Sequence, residues 1–178
     1  MNIIENYYKN VIRYDLINKF FYTHVEEIPK LKKIILNFGC KSDEIKLIAS
    51  SLFSLELITS KRGYITKSKR ANILLKIRKG SPVGCVVVLE KTKMYHFFSK
   101  LLSEVFPNLK DFRGFSISKK TGKSTFSFTL KDLIAFKELE KQFYLFTNLP
   151  PLNIVLITNS KTKEELLYLL NSLKLILI

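Results

Sequence analysis

Between Glu56 and Glu90 the chain has no carboxylate, and residues 61–84, KRGYITKSKRANILLKIRKGSPVG, place eight cations in that gap: Lys61, Arg62, Lys67, Lys69, Arg70, Lys76, Arg78 and Lys79. Clustered charge of one sign repels itself, and it is most easily tolerated where a polyanion supplies the opposite sign. Turn signals at Gly63 and at Gly80-Ser81-Pro82 bracket the β-prone runs YIT and ILLKIR, so the stretch reads as a basic hairpin. The blandest account of it is a solvated surface hairpin; the sharper one is a nucleic-acid surface.

The balance of the whole chain extends the argument. Thirty Lys and Arg against 15 Asp and Glu leave a formal charge of +15, enough to draw phosphates from beyond contact distance. RNA, DNA and an anionic membrane all satisfy that charge. With 178 residues, 47% hydrophobic and 25% charged, the chain is expected to fold as a single domain over residues 1–178. Cys40 and Cys85 each fall in a predicted strand, without a CxxC or a Cys/His cluster, which favours buried, reduced thiols over a zinc site or a disulfide. No metal and no cofactor is expected. The N-terminus MNIIENYYKNVIRYDL holds Glu5 and Asp15 and reads as neither a signal nor a transit peptide. The apolar tail LKLILI at 173–178 is far short of the ~20 residues that span a bilayer. Abundant Lys, Ile, Phe, Leu and Asn with no Trp suggest a gene rich in A and T, as in many organelle genomes.

Apolar periodicity supplies the elements. Ile4, Tyr7, Tyr8, Val11, Ile12, Leu16, Ile17 and Phe20 fit an amphipathic helix over residues 3–20, with some slippage. After Pro29, LKKIILNFG predicts a strand over 32–39. Ile45, Ile48, Ala49, Leu52 and Leu55 predict a helix opened by Ser42, Asp43 and Glu44. CVVVLE predicts a buried strand, and Met94, Phe97, Phe98, Leu101 and Val105 a helix over 93–106 that Pro107 stops. Phe126, Phe128 and Leu130 alternate as a strand, residues 131–151 give no clear pattern, and LNIVLIT is a strand. Thr162 and Glu165 form a capping-box pattern ahead of Leu166, Leu169, Leu170 and Leu173. The order αβαβββαβ…βα predicts an α+β domain, a mostly antiparallel or mixed sheet with helices packed on one face.

Taken in order, NFG at 37–39, ITKSKR at 65–70, KIRKGSPVGC at 76–85 and PNLKDFRG at 107–114 resemble, in spacing and residue type, the universal family of ribosomal protein number five of the large subunit. The resemblance runs from about Tyr7 to the C-terminus. It implies a fold akin to the RNA-recognition motif, no enzymatic activity, and a place in the central protuberance. The implied partners are 5S rRNA or its substitute, adjacent large-subunit rRNA, peptidyl-site tRNA at its elbow, and neighbouring ribosomal proteins including one of the small-subunit head; no membrane is implied. Two departures stand out: Ser60-Lys61-Arg62-Gly63 replaces the family's Gly-Gln-Lys-Pro, and Val88-Leu89-Glu90-Lys91 its Thr-Leu-Arg-Gly. Lys120-Thr121-Gly122-Lys123 likewise replaces a Gly-Arg-Gly-Asn turn. Such losses suit a divergent organellar ribosome, so a mitochondrial member is expected, with a plastid or a bacterial cytoplasm as the alternatives.

Residue by residue, the resemblance points to Asn37, Lys61, Arg62, Lys67, Lys69 and Arg113 for rRNA, and to Arg70, Lys76, Arg78, Lys79, Ser81 and Pro82 as the loop that reaches tRNA. Arg suits such contacts because its planar fork binds phosphate bidentately or stacks on a base, whereas Lys acts as a point charge. Each residue has a plainer reading: Asn37 an edge position, Arg113 a partner of Asp111, Lys119, Lys120 and Lys123 a basic loop, and Gly80-Ser81-Pro82 a turn. Tyr64, following Lys61-Arg62-Gly63, resembles a fragment of an aromatic RNA-stacking signature. His24 and His96 have no catalytic company, and no P-loop, HExxH or nucleophile setting occurs, so no catalytic residue is expected. A free regulatory RNA-binding protein on the same fold is the alternative; a peripheral membrane protein would need a surface amphipathic helix.

Overall fold

A computed structural model describes residues 3–40, 45–74, 77–110, 112–117, 122–146 and 148–177, the side chain of Phe143 excepted. The N-terminal helix is built as α1 (Ile3–Tyr7), a π-helical turn at Tyr8–Ile12 and α2 (Arg13–Lys19). Its buried residues, Tyr8, Ile12 and Leu16, recur every fourth position. In a regular α-helix each fourth residue lies about 40° past its predecessor. The wider π turn takes up that drift, and it is the physical form of the slippage in the sequence pattern.

A 3-10 turn at Val25–Glu27 leads to β1 (Leu31–Gly39), followed by α3 (Ile45–Thr59), β2 (Tyr64–Lys67) and β3 (Pro82–Glu90). Next come α4 (Lys91–Lys100), a second π turn at Leu101–Val105, α5 (Phe106–Asn108) and β4 (Thr125–Leu130). Pro107 is thus inside the last helical turn, near its start, where its missing N–H has no partner to lose. The stretch 131–151, patternless in sequence, holds short turns only: 3-10 at Leu133–Ala135, α6 (Lys137–Glu140) and 3-10 at Phe143–Leu145. β5 (Leu152–Thr158) and α7 (Lys163–Ser172) complete the chain. Ser42, Asp43 and Glu44, expected to open α3, lie outside the described residues, as do Lys119, Lys120 and Thr121.

The five strands form one sheet in the order β2-β3-β1-β5-β4. β1-α3-β2-β3-α4-β5 is a split βαβ arrangement, the α+β class expected, with β4 added beside β5. Pairing is antiparallel for β2 and β3. It is also antiparallel for β4 and β5, where Thr158 N–H donates to Ser124 O (2.8 Å) and Thr129 Oγ1 to Asn153 Oδ1 (2.8 Å) at opposite ends. Alternate residues of each strand are buried: Ile34, Leu36 and Phe38 in β1, Cys85, Val87 and Leu89 in β3, Leu152, Ile154 and Leu156 in β5.

One element departs from expectation. Among the described residues two strands, rather than three, separate α3 from α4. ILLKIR is the end of the hairpin: Ile73 and Leu74 sit in its turn and Ile77 bridges Asn72. β-propensity expresses itself where a half-buried surface receives the side chains, and Ile73 and Leu74 meet none.

The chain divides into two compact units, Met1–Ile34 with Glu90–Phe128 and Val155–Ile178, and Ile35–Leu89 with Thr129–Ile154. In the first, Met94, Phe97, Phe98, Leu101, Leu166, Leu169 and Leu170 are buried as their stripes predict. Phe106, Phe112, Phe115, Phe126 and Phe128 form a ring cluster with centroids 4.3–6.3 Å apart. Asn159 ties down the segment before β1, accepting from Lys30 N–H (2.6 Å) and donating to the carbonyls of Glu26 and Ile28. In the second unit Leu36, Phe38, Leu55, Ile58, Phe136 and Leu139 are buried, and Ser51 and Ser54 satisfy their buried hydroxyls on the carbonyls of Leu47 and Ser51. Cys40 and Cys85 are buried free thiols there, as expected.

Candidate nucleic-acid interface

The basic stretch is an edge hairpin built on β2 and β3. Tyr64 pairs with Val86, Ile65 with Cys85 and Thr66 with Gly84, and the register shifts by a bulge between Thr66 and Lys67. Beyond the bulge the ladder continues: Ser68 N–H donates to Ser81 O (2.8 Å) and Gly80 N–H to Ser68 O (2.9 Å). Asn72 and Ile77 then exchange hydrogen bonds of 2.8 and 3.0 Å and close the tip. At the base, a Cβ on Gly84 would lie 2.3 Å from Phe38 O, so β3 approaches β1 as closely as only glycine permits. Gly63 N–H donates to Glu56 Oε1 (3.0 Å), which occupies the last carboxylate before the cation cluster with a backbone group of its own hairpin.

On this frame Arg62, Lys67, Lys69, Arg70, Arg78 and Lys79 are exposed, and Ser81 and Pro82 are half-buried. Lys76 lies outside the described residues. Lys61 differs from its neighbours: half-buried, it donates from Nζ to Val88 O at 2.7 Å, so part of its hydrogen-bonding capacity is already used inside the fold. Ser68 Oγ donates to Arg70 O, which fixes the backbone from which Arg70 projects. Lys69, Arg70, Ala71 and Asn72, with Ser68, Ile77 and Val83, line a groove of about 560 Å³. Asn37 is half-buried on the less buried face of β1, between buried Leu36 and Phe38. Tyr64, opposite Val86, is 54% exposed.

Arg113 belongs to the other unit. Its neighbour Phe112 stacks on Phe106 at 5.1 Å, and Phe115 packs edge-on against Phe112 at 5.0 Å. These anchors leave Arg113 exposed between them, and Gly114 takes φ +132 in the same turn. The alternative partner, Asp111, lies outside the described residues. Sequence reasoning missed Ile73 and Leu74, whose exposure follows from the turn falling inside a run that composition assigns to a strand.

Among the described residues no His, Cys, Asp or Glu cluster is gathered to hold a metal ion, and no helix is long and apolar enough to cross a membrane. Residues 82–176 match the family model for the C-terminus of the ribosomal uL5 family. Over 93% of its length the chain is 38% identical to the large ribosomal subunit protein uL5m of Reclinomonas americana, covering 92% of that protein. The chain belongs to the uL5 family of large-subunit ribosomal proteins. Bacterial uL5 proteins are similar over nearly their full lengths: that of Nitrosomonas europaea is 34% identical over 94% of both chains. That of Clostridium tetani is 36% identical over 90% of this chain and 89% of its own. uL5 proteins are structural, non-enzymatic components, in keeping with the sequence reading.

Membership of the uL5 family also accounts for two backbone outliers. Ser60 and Lys91 hold φ of +51 and +52, and both stand where the resemblance places a family glycine. The fold keeps the glycine conformation after losing the glycine.

Proposed function

We propose that this chain is a structural constituent of the central protuberance of the large ribosomal subunit, binding 5S rRNA or its substitute and adjacent large-subunit rRNA. Its basic hairpin, Arg70 to Pro82, contacts peptidyl-site tRNA. The observation that carries the reading is the hairpin itself: exposed cations on both strands, from Arg62 to Lys79, with the nearest preceding carboxylate engaged by Gly63. Its width and length suit a projecting arm, and its charges suit phosphate.

Asn37, Lys61, Arg62, Lys67 and Lys69 at the base of the hairpin, and Arg113 on the other unit, are the rRNA contacts in this reading. The single rRNA-binding domain expected from the sequence is part of it, since β1, β4 and β5 each contribute residues to both units. Ile134, Tyr144 and Leu145, exposed with Asp132 and Glu140, suit a neighbouring protein of the small-subunit head better than they suit phosphate. A mitochondrial ribosome is the proposed location, supported by the uL5m relative and the A/T-leaning composition. Charge reversal of Arg70 and Arg78 to Glu tests the hairpin assignment. It is expected to slow tRNA accommodation while large subunits still assemble, and an unaltered translation rate would refute the assignment.

A further inference from the structure

The basic hairpin ends in two bare aliphatic side chains. Ile73 is 93% exposed and Leu74 95%, side by side in the turn, and the reciprocal Asn72–Ile77 hydrogen bonds close the ladder just behind them. Single exposed aliphatics are ordinary on a protein surface; an adjacent pair fixed at the apex of a projecting arm asks for an apolar partner. The surroundings restrict what that partner can be. Lys69, Arg70, Arg78 and Lys79 flank the tip, all exposed, and no carboxylate occurs in sequence between Glu56 and Glu90. Behind the tip lies the groove lined by Lys69, Arg70 and Asn72, of about 560 Å³, within the range that holds a small ligand or a length of backbone. An RNA fold meets all of these demands together: phosphates for the cations, and the flat apolar face of a base at the end of a stack for the aliphatic pair.

We propose that Ile73 and Leu74 pack against the open face of an outermost nucleobase, while Lys69, Arg70, Arg78 and Lys79 hold the phosphates on either side. The proposal rests on the reading of the hairpin as the tRNA-contacting loop and adds to it the groups that touch the base. The cations set the salt dependence of the contact and the aliphatic pair adds a part that salt does not change, because counterion release follows neutralised phosphates only.

Large subunits carrying the variant chain, titrated with an unmodified tRNA transcript over a series of KCl concentrations, separate the two parts. The double variant I73S/L74S is expected to incorporate into subunits at the level of the parent chain. It should lower tRNA affinity by roughly tenfold at every salt concentration, leaving the slope of log K against log salt unchanged. I73M/L74M should restore the affinity. R70E/R78E should instead make the slope shallower. Parental affinity in I73S/L74S alongside weakening in R70E/R78E overturns the base contact and leaves the hairpin assignment standing; parental affinity in both overturns the assignment itself. A changed slope or poor incorporation of I73S/L74S, or photocrosslinks from position 74 to a protein instead of RNA, also overturns the proposal.

Discussion

Ser60 and Lys91 adopt the left-handed region that side chains with a Cβ enter at a cost of roughly 1–2 kcal/mol. Returning each to glycine removes that cost but loosens the unfolded chain, so Ser60→Gly and Lys91→Gly should each stabilise by about 0.5–1 kcal/mol, read from urea midpoints. Gly84→Ala should do the opposite, since its Cβ would strike the Phe38 carbonyl; overpacking of this kind costs about 1–3 kcal/mol. The thiols give a third check. Burial, with the neighbouring Cys40 adding to it, pushes Cys85 up from 9.0 to about 11. The unfolded chain releases this proton first, so the associated stability is intact below pH 9.0 and is lost as pH rises toward about 11. Native protein should also react with iodoacetamide far more slowly than unfolded protein at neutral pH. Burial of these cysteines was legible from their strand settings. The left-handed backbone at Ser60 and Lys91 was not, because neither residue type signals it; only the position of the family's glycines does.

Helices and strands with long apolar stripes were legible wherever a repeat reports a buried face. α7 is the clearest: Thr162 Oγ1 accepts from Glu165 N–H (3.3 Å), and the Glu165 carboxylate accepts from the Lys161 and Thr162 N–H groups (2.9 and 3.4 Å). Thr162→Ala should destabilise the protein by about 1 kcal/mol in chemical denaturation, and Thr162→Ser by much less. Both π turns sit where apolar residues are spaced by four, Tyr8 with Ile12 and Leu101 with Val105, so the spacing foretells them once it is read as geometry rather than as noise. The hairpin tip was not legible. ILLKIR has strand composition, and what makes it a turn is the β2–β3 ladder running on past the bulge to Asn72 and Ile77, a non-local fact. Patternless 131–151 folded into three short turns for a related reason: each is too brief to show a period.

For the molecule as a whole, the collinear motifs carried the family while charge alone carried only a polyanion, and the structure adds the frame on which the charges stand. Strand order in the sheet had no counterpart in the sequence pattern, because pairing partners lie far apart along the chain. A net charge of +15 on a folded scaffold implies association dominated by phosphate neutralisation. Binding to 5S rRNA or its ribosomal substitute should therefore weaken steeply and linearly in log–log form as salt rises, and a flat titration would contradict the electrostatic account. The central claim, a structural place in the large subunit, is tested most directly by sedimenting ribosomes through a high-salt cushion and quantifying this chain by mass spectrometry against other large-subunit proteins. The account predicts one copy per large subunit, retained after the wash. Recovery chiefly at the top of the gradient, free or on small RNAs, would contradict it and favour a free RNA-binding protein.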